Sequence, residues 1–165
     1  MTEAFEALNH SANEFLKKLE EVNEKLAKIE KKIEANRKEL TPIENRVIDL
    51  ASKIEELQKK LHTKLNKAKR VRKLFLNERN VNKSEELRRD YDNIMKDVHR
   101  IDKELKKLRK EYTSLLEKES KLLEKEIVLE EEKAELYHSR EKILSRVQNL
   151  MKNLNNKINQ VKKER

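Results

Sequence analysis

Between residues 59 and 89 the chain carries twelve Lys/Arg against three Asp/Glu, and its densest part, residues 67 to 90, reads KAKRVRKLFLNERNVNKSEELRRD. The chemistry open to such a run is the binding of negative charge, because a like-charge cluster repels itself and a polyanion relieves the repulsion. The whole sequence holds 41 Lys/Arg and 32 Asp/Glu, so removing the run leaves 29 of each sign elsewhere. The net charge of +9 thus resides in this one segment. Arg70, Arg72, Lys73, Arg79, Arg88 and Arg89, with Lys67, Lys69 and Lys83, are the expected phosphate contacts, and RNA or a ribonucleoprotein is the expected partner. A merely solvated face is the competing reading. Beside the charge lies Lys73-Leu74-Phe75-Leu76, in which Leu74 and Leu76 are expected either to dock a protein or to fold over Val81 and close the end of the structure.

Other chemistry finds little support. The chain has no glycine and no cysteine, and phosphate-cradling loops, dinucleotide turns and nucleophile elbows all need glycine for close backbone approach. No enzyme activity and no cofactor are expected. His10, His62, His99 and His138 show no metal-ligand spacing, so no metal is expected either. Tyr91, Tyr112 and Tyr137 recur at helical core spacing and are expected to pack rather than to stack on bases. The acidic start MTEAFEALNH is unlike a signal peptide, and no apolar run approaches the roughly 18 residues of a membrane span. A cytoplasmic location is the expectation.

The elements that must position the basic run follow from composition and period. With 44% charged residues, 4% aromatics and one proline, the chain is either disordered or a long helical system. The period favours helix. Steps of three and four residues from Phe5 meet Leu8, Ala12, Phe15, Leu19, Val22, Leu26, Ile29 and Ile33, and continue to Phe75 with only Asn36 and Lys64 polar. That is an a/d seam of about ten heptads. A second seam starts at Leu87 and runs through Tyr91, Ile94, Val98, Ile101, Leu105, Leu108, Tyr112 and Leu115.

The gap between the seams, Asn77 to Ser84, holds asparagines that tolerate left-handed turns, and Asn82 followed by Glu85 has the form of a capping box. The chain is therefore expected to reverse near Val81. The expected fold is all-α: a long antiparallel two-helix coiled-coil hairpin with a first arm over 1–78, a turn over 79–83 at the basic tip and a second arm over 84–165. The seams align when paired residue numbers sum to 162, as in Val71 with Tyr91, Ala68 with Ile94 and Leu57 with Leu105. Each arm would then measure about 115 Å at about 1.5 Å per residue.

Two features disturb this simple pattern. Thr41-Pro42-Ile43-Glu44 has the form of a helix start, yet the heptad phase runs unbroken from Leu40 to Ile43, which favours a kink over 41–43 rather than a reversal. In the second arm, Glu119, Glu126, Lys133 and Arg140 occupy a positions, while the apolar stripe from Leu115 to Leu144 widens into adjacent pairs. Either the seam is repacked opposite Pro42 or the widened stripe offers a second surface, for a homodimer or a partner helix. Functionally the sequence points to a non-enzymatic adaptor or scaffold whose tip meets RNA. The alternative is a structural spacer or stalk that binds another protein. In shape alone, without a shared motif, such a hairpin resembles RNA-touching arms and the stalks of secretion or rotary ATPases.

Overall fold

The computed structural model describes residues 2–164. The fold is all-α, with no strand among the described residues: α1 spans Thr2–Asn77, α2 spans Val81–Lys163, and the two helices pack against each other. Strong helix formers between the seam positions account for their length. Tertiary contacts divide the chain into two compact units, one made of Leu40–Lys121 and the other of the residues before Leu40 and after Lys121.

In the Leu40–Lys121 unit, Ala68, Ile94 and Val98 form a buried cluster, against which Leu61, Leu65, Val71, Tyr91 and Met95 pack. The expected layers Ala68–Ile94 and Val71–Tyr91 thus fall in one cluster. Leu50 and Leu105 are wholly enclosed. Lys64, a polar residue on the seam, keeps its charge near solvent by directing Nζ to Asp97 Oδ2 at 3.2 Å. Its aliphatic stem stays in the seam while the ammonium leaves it.

In the other unit, Ile29, Ile33 and Leu129 form the buried cluster, with Leu136 against it. Asn36 interrupts this apolar series. It is 2% exposed, and its Nδ2 donates to the Leu122 carbonyl at 2.9 Å, while Oδ1 has no partner among the described residues. A buried amide left half satisfied costs about 1–3 kcal/mol. The bond to Leu122 limits that cost by satisfying the donor half of the side chain.

Pro42 lies inside α1, which continues through it. The reversal at residues 41–43 does not occur. Proline there removes the amide that would bond the carbonyl of Lys38 and crowds that carbonyl with its ring. The division between the two units on α1 falls after Glu39, within a turn of this weak point.

The connection from α1 to α2 comprises Glu78, Arg79 and Asn80. Asn80, not Asn82, caps α2: its Oδ1 accepts from the Asn82 amide at 3.0 Å and the Lys83 amide at 3.3 Å, and its carbonyl accepts from the Ser84 amide at 2.9 Å. These are the bonds of an N-cap residue to the second and third helical amides. The third helical position is Lys83, so no capping box forms. Glu78 supports the cap by accepting from the Asn80 amide at 3.2 Å. No described residue has positive φ, so the reversal uses no left-handed asparagine.

Two stability tests follow from these local structures. Pro42→Ala restores a helical hydrogen bond at an interior position, where proline costs about 3 kcal/mol relative to alanine; thermal melts will show a higher midpoint at unchanged or greater helicity. Asn80→Ala leaves the Asn82 and Lys83 amides without their side-chain acceptor, and urea denaturation will register a loss of about 1 kcal/mol.

Candidate nucleic-acid interface

In the Leu40–Lys121 unit the basic run covers the last turns of α1, the connection and the first turns of α2. Lys67, Lys69, Arg70, Arg72, Lys73, Arg79, Lys83, Arg88 and Arg89 are all exposed. Burial of the a and d positions explains why. With a at Ala68 and Phe75, and d at Leu87 and Ile94, the nine fall on outward positions, on the flanking e and g positions or in the connection. None of the nine pairs with a carboxylate within 4 Å among the described residues.

Lack of an ion pair is common among the described Lys/Arg of this chain, Lys17, Lys60 and Lys103 included; what sets the tip apart is its excess of positive over negative charge, and the flanking positions show it. In an antiparallel pair, g positions face g and e positions face e. Arg46 and Glu111, both at g, meet with Nη2 and Nε at 3.0 and 3.2 Å from one carboxylate oxygen. Leu65 and Met95, both at e, pack on the same buried cluster. One heptad nearer the turn on each helix, the equivalent e positions hold Arg72 and Arg88. Two guanidinium groups thus stand where the arms place an opposite pair or an apolar contact. Adjacent like charges disfavour the folded arrangement and raise the local positive potential.

The helix ends sharpen the effect. α2 has no acidic residue in its first turn, where the helix dipole favours negative charge, and instead carries Lys83 there. Lys59 and Lys64, farther from the turn, are neutralised by Glu55 at 3.6 Å and Asp97 at 3.2 Å. The excess of positive over negative charge is thus concentrated around the connection.

The apolar residues of the tip do not close over it. Leu74 is 59% exposed, Leu76 66% and Val81 71%, so the end of the hairpin is left uncovered. The heptad explains this: Leu74 at g and Leu76 at b point away from the seam, and Val81 opens α2 ahead of its first seam residue. Phe75 alone of the Leu74–Leu76 stretch turns inward and is half-buried.

The tyrosines divide. Tyr91 packs against the Ala68 cluster, and Tyr112 is half-buried. Tyr137, in the other unit, is exposed: its hydroxyl donates to Glu30 Oε1 at 3.4 Å, and Lys133 and Arg140 approach its ring at 6.0 and 5.9 Å. Core spacing misplaced it because the apolar stripe of α2 is two residues wide there. Among the described residues no group of three or more His, Cys, Asp or Glu is arranged to hold a metal ion, and no helix is long and apolar enough to cross a membrane.

No family model, curated protein or solved structure matches the chain.

Arg88→Glu will convert the like pair with Arg72 into an opposite one. Thermal melts at low salt will show a gain of a few tenths of a kcal/mol that fades as salt is added. A loss of stability would mean that the two arginines do not repel across the hairpin.

Proposed function

We propose that the protein is a non-enzymatic adaptor whose basic tip docks on a polyanion, with RNA or a ribonucleoprotein as the partner and the cytoplasm as its setting. The observation that carries this reading is the charge excess at the tip: nine exposed Lys/Arg lie in a run of twelve Lys/Arg against three Asp/Glu, in a chain whose remaining charges balance. By heptad position Arg72 and Arg88 face each other across the hairpin, and phosphate bound between them would offset their mutual repulsion. Arginine suits the task, because its planar fork of donors matches phosphate oxygens. Binding through phosphates positions the hairpin without reading bases.

A second reading rests on a different observation, the exposure of Leu74, Leu76 and Val81. Apolar side chains ringed by arginine also suit an acidic protein surface, in which case the hairpin is a spacer or stalk that presents its tip to another protein. The two readings differ in their dependence on phosphate.

RNA binding measured across a salt series separates them. A tip that neutralises several phosphates releases their counterions, so affinity for single-stranded RNA will fall steeply and linearly in log salt, with little dependence on base sequence. Changing Arg72, Lys73 and Arg79 together to Glu will nearly abolish binding at unchanged helicity, whereas changing Lys17 and Lys18 to Glu will have a much smaller effect. Absence of RNA binding by the wild type at low salt would overturn the RNA reading and turn attention to Leu74 and Leu76.

A further inference from the structure

The unit formed by the residues before Leu40 and after Lys121 carries an apolar stripe that its own α1 segment does not cover. Facing α1, α2 uses Leu122, Leu129, Leu136, Ile143 and Leu150, spaced by seven. One residue further along at each step lie Leu123, Glu130, Tyr137, Leu144, Met151 and Ile158, also spaced by seven, and every apolar member of this second series is exposed. Ile127 and Ala134 fall four residues after Leu123 and Glu130 and complete a d/a pattern in its first half; both are exposed. In the second half the same positions hold Glu141, Gln148 and Asn155. A single helix–helix seam does not need this second stripe.

Charge along the stripe is segregated. From Leu123 to Tyr137 there are six Asp/Glu and two Lys/Arg; from His138 to Ile158 there are five Lys/Arg and one Glu. A shallow groove over Leu123, Ile127 and Ala134 is rimmed by Glu126, Glu130 and Glu131. At the other end, Met151 joins Leu16 of α1 and Leu150 in a largely apolar groove. The outermost flank, farthest from α1, reads Glu124, Glu131, His138, Ser145, Lys152. An acid-rimmed apolar groove calls for a basic apolar helix, and this chain supplies one in its own Leu144–Ile158 stretch.

We infer that a second copy of this chain packs antiparallel on this stripe, the acidic half of each α2 against the basic half of the other. In this arrangement Ile127 meets Met151, Ala134 meets Leu144 and Glu124 flanks Lys152, and each contact occurs twice about the two-fold axis. The apolar a positions of the first half thereby face the apolar d positions of the second, which resolves why the interleaved series turns polar after Ala134. A parallel pair would stack Glu130 on Glu130 and Glu141 on Glu141 in its core and set Glu126 against Glu131. Like charges so placed disfavour it. The inference is independent of the tip and of what the tip binds.

Sedimentation equilibrium of the full chain tests it. The wild type will sediment as a dimer, and Leu144→Glu with Met151→Glu will halve the mass at unchanged helicity, because both side chains are exposed within one chain and the new carboxylates meet an acid-rimmed groove. Since the protein has no cysteine, orientation can be read by disulfide formation: a mixture of Ala134→Cys and Leu144→Cys chains will cross-link to each other, and Ala134→Cys alone will not. A monomeric wild type, a double variant that stays dimeric, or self-cross-linking of Ala134→Cys would each overturn the inference. So would loss of the dimer on changing Arg72, Lys73 and Arg79 to Glu, since the occupant of the groove would then be the basic tip.

Discussion

Burial of one apolar stripe of each helix against the other is the constraint on which this structure depends. A chain without glycine, with 44% of its residues charged, has few routes to excluding apolar surface from water. Each buried Leu, Ile or Val contributes about 1.5–3 kcal/mol, and only a seam extended over many turns gathers enough of them to offset the ordering of so long a backbone. Once a and d positions are committed to that seam, every other position is left to solvent. The distribution of charge over those remaining positions is then free to serve other ends.

The arms and the tip use that freedom differently. Along the arms, opposite charges meet across the helices, as Arg46 does with Glu111 and Arg37 does with Glu126 at 3.1 Å. Exposed pairs of this kind contribute little to stability. Near the turn, facing e positions carry Arg72 and Arg88. The seam beneath them, with Ala68, Ile94 and Val98 buried, holds the helices together despite the repulsion.

Much of the fold was legible in the sequence because a seven-residue apolar repeat determines both the helix face and, once the chain reverses, the layer opposite. Ala68 with Ile94 and Val71 with Tyr91 followed from arithmetic alone. The details that escaped depend on single hydrogen bonds and on exposure, which no period encodes. Asn80 and Asn82 are equally good caps by residue type; Asn80 wins because Glu78 can accept its amide and Val81 can begin the helix. Leu74 and Leu76 stay exposed because α1 runs on to Asn77 and holds them at g and b, away from the seam. Tyr137 looked like a core residue because Leu136 beside it is one. The heptad positions of the nine basic side chains at the tip could likewise be counted in advance, whereas their lack of carboxylate partners became evident only with every side chain in place.

The connection shows how register survives in a chain so repetitive. A seam built of leucine and isoleucine alone is nearly degenerate under a seven-residue slip, since every shifted layer is again apolar. Degeneracy is broken where a position cannot be exchanged for its neighbour. The two polar residues of the α1 seam do not meet that condition: Asn36 donates to the Leu122 carbonyl, and every residue offers a carbonyl, while a one-heptad shift would set Lys64 against Asp90 or Glu104 in place of Asp97. The connection does meet it. Only Glu78, Arg79 and Asn80 separate the helices, and Asn80 caps α2 through the Asn82 and Lys83 amides. A seven-residue shift would have to unwind helix at the turn and lose that cap, so register beside the turn is set by the shortness of the connection rather than by polar residues in the seam.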